Sequence, residues 1–208
     1  MPSSSYRSIS DVANAFQIAY EEASWISPVP ASIGETFRSE LAFVLREVDF
    51  SNSEFSVCEN LIYPVLKEVW KAYTGTLMLW GHQPLIYDED LSGVPDYFLA
   101  KRSPLGKVVR GSPYVLLVVE AKKDNFDEGW GQCCAALVAA QKLNQTVDQA
   151  VYGVVSNGRV WEFGQLLSSR FTRDTRLFTL QDLDGLFSAL NFVLAQCQQQ
   201  VAHQLAST

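Results

Sequence analysis

Glu120 and Lys122 stand two residues apart where the apolar run YVLLVV ends, in the stretch Val118–Gln132, VVEAKKDNFDEGWGQ. That run predicts a strand buried on both faces. Side chains alternate along a strand, so the Glu120 carboxylate and the Lys122 amine are expected on one face with Leu116 and Val118. The carbonyl of Ala121 then lies between them. Upstream, GVPDYFLA places Asp96 after Pro95 in a second apolar segment. Two carboxylates offered by neighbouring strands, with a backbone carbonyl between, suit a hard cation such as Mg²⁺, with Mn²⁺ as its substitute. Such ions take oxygen ligands and keep several waters.

A third acid comes from the segment SNSEFSVCENLIYPVLKEVWKAY, which predicts a helix opening on a capping box of Ser51 and Glu54 and kinked at Pro64. At about 100° per residue, Phe55, Cys58, Ile62, Leu66, Val69, Trp70 and Tyr73 form one stripe. Glu54 and Glu68 fall on the water side, whereas Glu59 falls inside the stripe and needs a partner if it is ionised. Lys122, or a metal held by Asp96 and Glu120, would supply one.

The other elements follow from pattern and punctuation. Asp11 to Ser24 predicts a first helix capped by Ser10, and Gly34 to Val48 a second. TGTLMLWGHQPLIYD suggests one or two strands, GVPDYFLAKR another and SPYVLLVVEAK a central one. DNFDEGWGQCCAALVAAQKLN predicts a helix capped near Asp124 or Asn125, its small residues suited to close packing. AVYGVVSNGRVWEFGQL reads as two strands around Asn157-Gly158, and a long helix closes the chain. Helices before, between and after strands imply an α/β sandwich with a mixed sheet.

At 208 residues, 48% hydrophobic and 12% aromatic, the chain fits one domain, 1–208, and not a disordered or fibrous class. The four cysteines form no C-x-x-C pair and read as buried reduced thiols. With no apolar signal core and no run long enough to span a bilayer, a cytoplasmic protein with no membrane partner is expected. Neither G-x-G-x-x-G nor G-x-x-x-x-G-K-[ST] occurs, so no nucleotide cofactor is expected. His82 and His203 are far apart and read as satisfied imidazoles; Trp80, Trp130 and Trp161 could stack bases but read as core. The net charge of −7 argues against coating nucleic acid by electrostatics alone. Between Lys101 and Lys123, however, six basic residues face the single acid Glu120. This segment is either a phosphate-contacting patch, through Lys101, Arg102, Lys107, Arg110 and Lys123, or a solvated loop.

VPD at Val94–Asp96 and EAK at Glu120–Lys122 resemble the two halves of the motif of the PD-(D/E)xK nuclease superfamily, the fold of many restriction endonucleases. CENLIYPVL resembles the first-helix glutamate motif in the nuclease domains of type I restriction subunits. GWGQCCAAL and VYGVVSNGRVWEF extend the similarity, which covers about Glu54 to Leu167. The resemblance implies a three-layer α/β/α sandwich with a central mixed β-sheet, restriction endonuclease-like. Its parts would be an N-terminal helical extension (1–50), a nuclease core (51–167) and a C-terminal strand and helix (168–208). It implies a Mg²⁺-dependent nuclease acting on DNA, with Asp96, Glu120 and the Ala121 carbonyl on the metal. Glu59 would hold a metal-bound water or a second ion, and Lys122 would act on the reacting phosphate. By the same resemblance Gln132 matches a helix glutamine that orients nucleic acid or metal water, although Ala136 stands where that motif often has tyrosine. Alternatives are a catalytically inactive binding module, a partner of another subunit, and a homodimer completing a nucleic-acid cleft.

Overall fold

The computed structural model describes residues 6–50 and 53–205, and at 110–114 and 204–205 the backbone alone. Ser8, not Ser10, caps the first helix: its hydroxyl accepts from the Asp11 N–H, and α1 spans Ile9–Phe16. Gln17 ends it with a left-handed φ of 56°. The rest of the expected helix is a strand, β1 (Ala19–Ala23), paired in parallel with residues 170–174. AYEEA has ordinary helix formers, and pairing with a distant strand overrides them. The first 50 residues therefore add a strand to the sheet as well as helices.

Helix α2 (Glu35–Glu47) follows Gly34 as expected. The next helical run is interrupted. α3 (Glu54–Val57) is capped by Ser53, whose hydroxyl accepts from the Ser56 N–H; Ser51 lies outside the described residues. A π-helical segment, Cys58–Ile62, leads into α4 (Tyr63–Trp70). Pro64 lacks an N–H and cannot donate back to the Asn60 carbonyl. The chain takes a wide turn just before it, with the Tyr63 N–H bonded to the Cys58 carbonyl.

Strands β2 (Leu77–Gly81), β3 (Leu85–Ile86), β4 (Ser92–Gly93), β5 (Tyr97–Arg102) and β6 (Arg110–Ala121) come next. Helix α5 (Phe126–Asn144), capped by Asn125, crosses to β7 (Val151–Ser156). β8 (Val160–Leu167), β9 (Arg170–Asp174), β10 (Phe178–Thr179) and α6 (Leu183–Leu205) complete the chain. Asn157-Gly158 sits in the β7–β8 turn as expected, with Gly158 at φ 81°, where a side chain would be strained.

The main sheet has the order β1-β9-β8-β7-β6-β5-β2, with β10 also on β8. β6–β7 and β1–β9 are parallel and the other ladders antiparallel, so the protein is mixed α/β around a mixed central sheet. Two apolar clusters form. Leu117, Val119 and Ala121 pack with Leu61, Ile62, Leu66, Phe187 and Leu190; Val115 and Val118 pack with Trp130, Leu137 and Val12. Leu116 joins the first cluster and not the one containing Val118, against simple alternation. The cause is a bulge: Leu99 pairs with Leu117 and Ala100 with Val115, which leaves Leu116 as the extra residue.

Candidate active site

The β5–β6 register pairs Tyr97 with Val119, so Asp96, one residue before β5, stands opposite Glu120. The Asp96 Oδ2 accepts the Ala121 N–H at 2.8 Å. In extended backbone the N–H and C=O of one residue point to the same side, which directs the Ala121 carbonyl toward Asp96 as well. Lys122 leaves the strand with its N–H on the Ser156 carbonyl. Its stem is confined by α5: a Cβ built on Gly129 would meet the Lys122 Cγ at 2.8 Å and Val155 at 2.7 Å. A side chain at Gly129 would thus displace Lys122.

Glu120 is 7% exposed. Burial pushes its carboxyl well above the usual range, Asp96 and Glu54 push the same way, and Lys122 opposes them. Asp96 is also raised, by burial, against the Ala121 N–H bond and the charges of His82 and Lys122. Cys58, whose Sγ lies 3.7 Å from Asp96 Oδ1, is pushed to about 12 by burial and then by Asp96, so it stays a neutral thiol. All four cysteines are buried and free.

The helix acid that meets Lys122 is Glu54, while Glu59 lies within electrostatic reach of Tyr97. Glu54 Oε2 lies 3.8 Å from Lys122 Nζ, and its Oε1 accepts the Lys123 N–H at 3.4 Å. Glu59 is exposed. The buried face of the run is Val57, Cys58, Leu61, Ile62, Val65, Leu66 and Val69, while Phe55 is 69% exposed. Counting Phe55 as core rotates the stripe toward Glu59; the true face, reached through the π-helical turn, brings Glu54 to the sheet end instead.

His82 also belongs here, and its isolation in the sequence gave no sign of it. Its N–H donates to the Asp96 carbonyl at 2.9 Å and its Nδ1 lies 3.9 Å from Asp96 Oδ1. Only the pairing of Gly81 with Tyr97, on β2 and β5, brings it in. Gln132 is half-buried on α5 with its amide on Glu128, one turn back. His203 lies in the last turn of α6. Trp130 and Trp161 are fully buried core residues and Trp80 is half-buried.

The basic residues divide. Lys123 is exposed beside Glu54. Lys101, Arg102 and Lys107 lie at the opposite end of the β5–β6 hairpin, six residues of strand or about 20 Å from Asp96. There Lys101, Arg102 and Gly106 border an open hollow of about 490 Å³. The Arg102 guanidinium donates to the Thr74 carbonyl. Arg110 pairs with Arg102 in the ladder; its side chain is outside the described atoms.

Among the described residues, no three His, Cys, Asp or Glu side chains are grouped so as to hold a metal ion by themselves. Asp96, Glu120 and the Ala121 carbonyl offer oxygen donors, the ligand type that Mg²⁺ takes while water completes its shell. Both carboxyls are held above their usual range chiefly by burial, and a nearby cation is what favours the ionised form of such groups.

The raised Glu120 carboxyl has a sign for stability. Between the ordinary carboxylate range and its raised value the folded protein holds a proton that the unfolded chain releases, so stability falls as pH rises through that window. Glu120→Gln should therefore raise the metal-free melting temperature at pH 8 by about 2–8 °C, on the scale of a removed local strain of about 1–2 kcal/mol. At about pH 4, where the carboxyl is protonated in both states, the two proteins should melt together. An equal gap at both pH values would show that ionisation is not the cause.

No helix among the described residues is long and apolar enough to cross a membrane. No protein-family model matches the chain, and no curated protein matches it.

Proposed function

We propose that the chain is a Mg²⁺-dependent nuclease that hydrolyses phosphodiester bonds in DNA, on a three-layer α/β/α fold of the PD-(D/E)xK, restriction endonuclease-like kind, in the cytoplasm. The observation that carries this reading is the placement of Asp96 opposite Glu120, bonded to Ala121, with Lys122 one residue further on. Asp96, Glu120 and the Ala121 carbonyl would hold the ion. Mg²⁺ supplies an acidified water and offsets negative charge on the phosphate. Lys122 places an ammonium beside the phosphate oxygens on which charge gathers, and Glu54 holds that ammonium in position. Lys123 is placed to meet a nearby phosphate. Lys101, Arg102, Lys107 and Arg110 would meet phosphates about six base steps away, at 3.4 Å per step.

The deciding experiment incubates the purified protein with supercoiled plasmid and with single-stranded DNA, with Mg²⁺ or Mn²⁺ and with EDTA, beside Lys122→Ala. Metal-dependent cutting that the variant lacks is the expected result. A second reading, a domain of this fold that binds nucleic acid or protein without cutting, is favoured by the burial of Glu120 at 7% exposure. Metal linkage separates the two. Mg²⁺ or Mn²⁺ at 100 times its dissociation constant should stabilise the nuclease by about 2.7 kcal/mol, or roughly 5–10 °C, and Asp96→Asn should remove the shift. Melting curves that ignore millimolar metal would favour the binding module.

A further inference from the structure

Two rings left partly in water near Asp96 belong to Phe55 and His82; a third, Tyr63, is 39% exposed and stacks on Tyr97. Phe55 is 69% exposed, in the first turn of α3 and ahead of the buried face that begins at Val57. The His82 side chain is 46% exposed. The two ring centroids are 6.1 Å apart with their planes tilted by 53°, and the His82 ring is 5.4 Å from the buried Tyr97 ring, tilted by 52°.

A single exposed phenylalanine is ordinary. A half-exposed ring fixed beside it by a strained backbone is not. His82 has φ 50°, a left-handed conformation that costs a non-glycine residue energy, and its N–H is tied to the Asp96 carbonyl. The fold thus holds an imidazole against Asp96 and beside Tyr97, with the tilted Phe55 ring next to it, so that a base lying on one ring meets the edge of the other. The path from the Phe55 ring through His82 to Asp96 is on the order of 10 Å, about three base steps.

Near the carboxylates Lys122 and the exposed Lys123 are the positive charges described, and Glu54 lies beside both. The chain carries −7, Lys122 is 3.8 Å from Glu54, and Lys101, Arg102 and Lys107 sit at the far end of the hairpin. Base stacking on an aromatic ring needs no positive charge and accepts every base. Bases inside a duplex are already stacked on one another, so only an unpaired base can lie on such a surface. We propose that Phe55 and His82 form a stacking platform for an unpaired nucleobase beside Asp96 and Glu120, which makes the substrate single-stranded or locally unpaired DNA. This rests on the nuclease reading and narrows its substrate.

The test measures binding without cleavage: fluorescence anisotropy of a short labelled single strand, and of a hairpin duplex, in EDTA. The wild type should prefer the single strand. Phe55→Ala should weaken single-strand binding by about 5- to 100-fold, the span of one lost stacking contact, and leave duplex binding unchanged. Phe55→Trp should restore it. His82→Asn, which removes the imidazole with a residue that tolerates the left-handed backbone, should weaken it in the same direction. Equal single-strand binding by Phe55→Ala and wild type, an equal loss on the duplex, or no single-strand binding by wild type overturns the platform. The two readings fail separately. Plasmid cutting in Mg²⁺ together with a Phe55→Ala variant that binds like wild type retains the nuclease and overturns the platform. Phe55-dependent single-strand binding in a protein that cuts nothing supports the platform and removes the nuclease.

Discussion

Lys122→Ala should slow Mg²⁺-dependent plasmid cleavage by about 10²- to 10³-fold, the loss seen when one donor that meets developing charge is removed from an active site. The side chain is suited to that role because it is confined: its stem lies against Gly129, its Nζ is 3.8 Å from Glu54, and it is 15% exposed. A mobile surface lysine would hold no fixed position and its loss would cost little. The variant also takes one positive charge away from Asp96 and Glu120, both of which Lys122 pulls toward ionisation. Its circular dichroism and DNA affinity should match wild type while the rate falls. Cleavage within a few-fold of wild type would remove Lys122 from the chemistry.

Asp174→Ala should lower stability by about 1–3 kcal/mol, the range for leaving buried donors without their acceptor. For a chain of this length that corresponds to a melting temperature lower by roughly 2–12 °C. Asp174 is 3% exposed. Its Oδ2 accepts the Trp25 and Ile26 N–H groups, each at 3.0 Å, and its Oδ1 accepts the Arg176 N–H at 3.0 Å and Nε at 2.9 Å. Alanine would leave these donors without their acceptor. Burial works to raise the Asp174 carboxyl, but the Arg176 side chain and the backbone N–H groups outweigh it and hold the group below its usual range. A depressed carboxylate stabilises above its unfolded pKa and loses that contribution as pH falls through the folded value. The gap between wild type and variant should therefore be full at pH 7 and narrow below about pH 4. A gap that persists unchanged in acid would assign the loss to packing and not to the ionised bonds.

What could be read from the sequence follows from which interactions are local. β6 announces itself by its apolar run, α5 by its cap and small residues, and the β7–β8 turn by Asn157-Gly158, because strand pattern, capping and turn chemistry are decided within a few residues. The position of Glu120 and Lys122 at a strand end follows from the same rules. Glu54 could not be chosen over Glu59 because the choice depends on whether Phe55 is core, and that is settled by what lies opposite α3. His82 enters through an antiparallel ladder between two strands separated by a β3–β4 excursion, which a local pattern does not encode. The bulge at Leu116 is likewise a product of pairing with β5. β1 was hidden because its residues favour a helix by themselves and become a strand only beside β9.

That last pairing sets an order of events during synthesis. The Thr172 hydroxyl donates to Glu21, 151 residues earlier in the chain. At about 5–20 residues per second the ribosome needs roughly 8–30 s to deliver β9 after β1 has been made. Throughout that interval the AYEEA segment lacks its partner, and whenever it extends it offers an unpaired edge, the kind of surface on which neighbouring nascent chains assemble. Its adjacent acids, Glu21 and Glu22, charge the segment and disfavour such assembly. The two residues that disguise β1 as a helix thus protect it until Arg170 arrives to pair with Glu21.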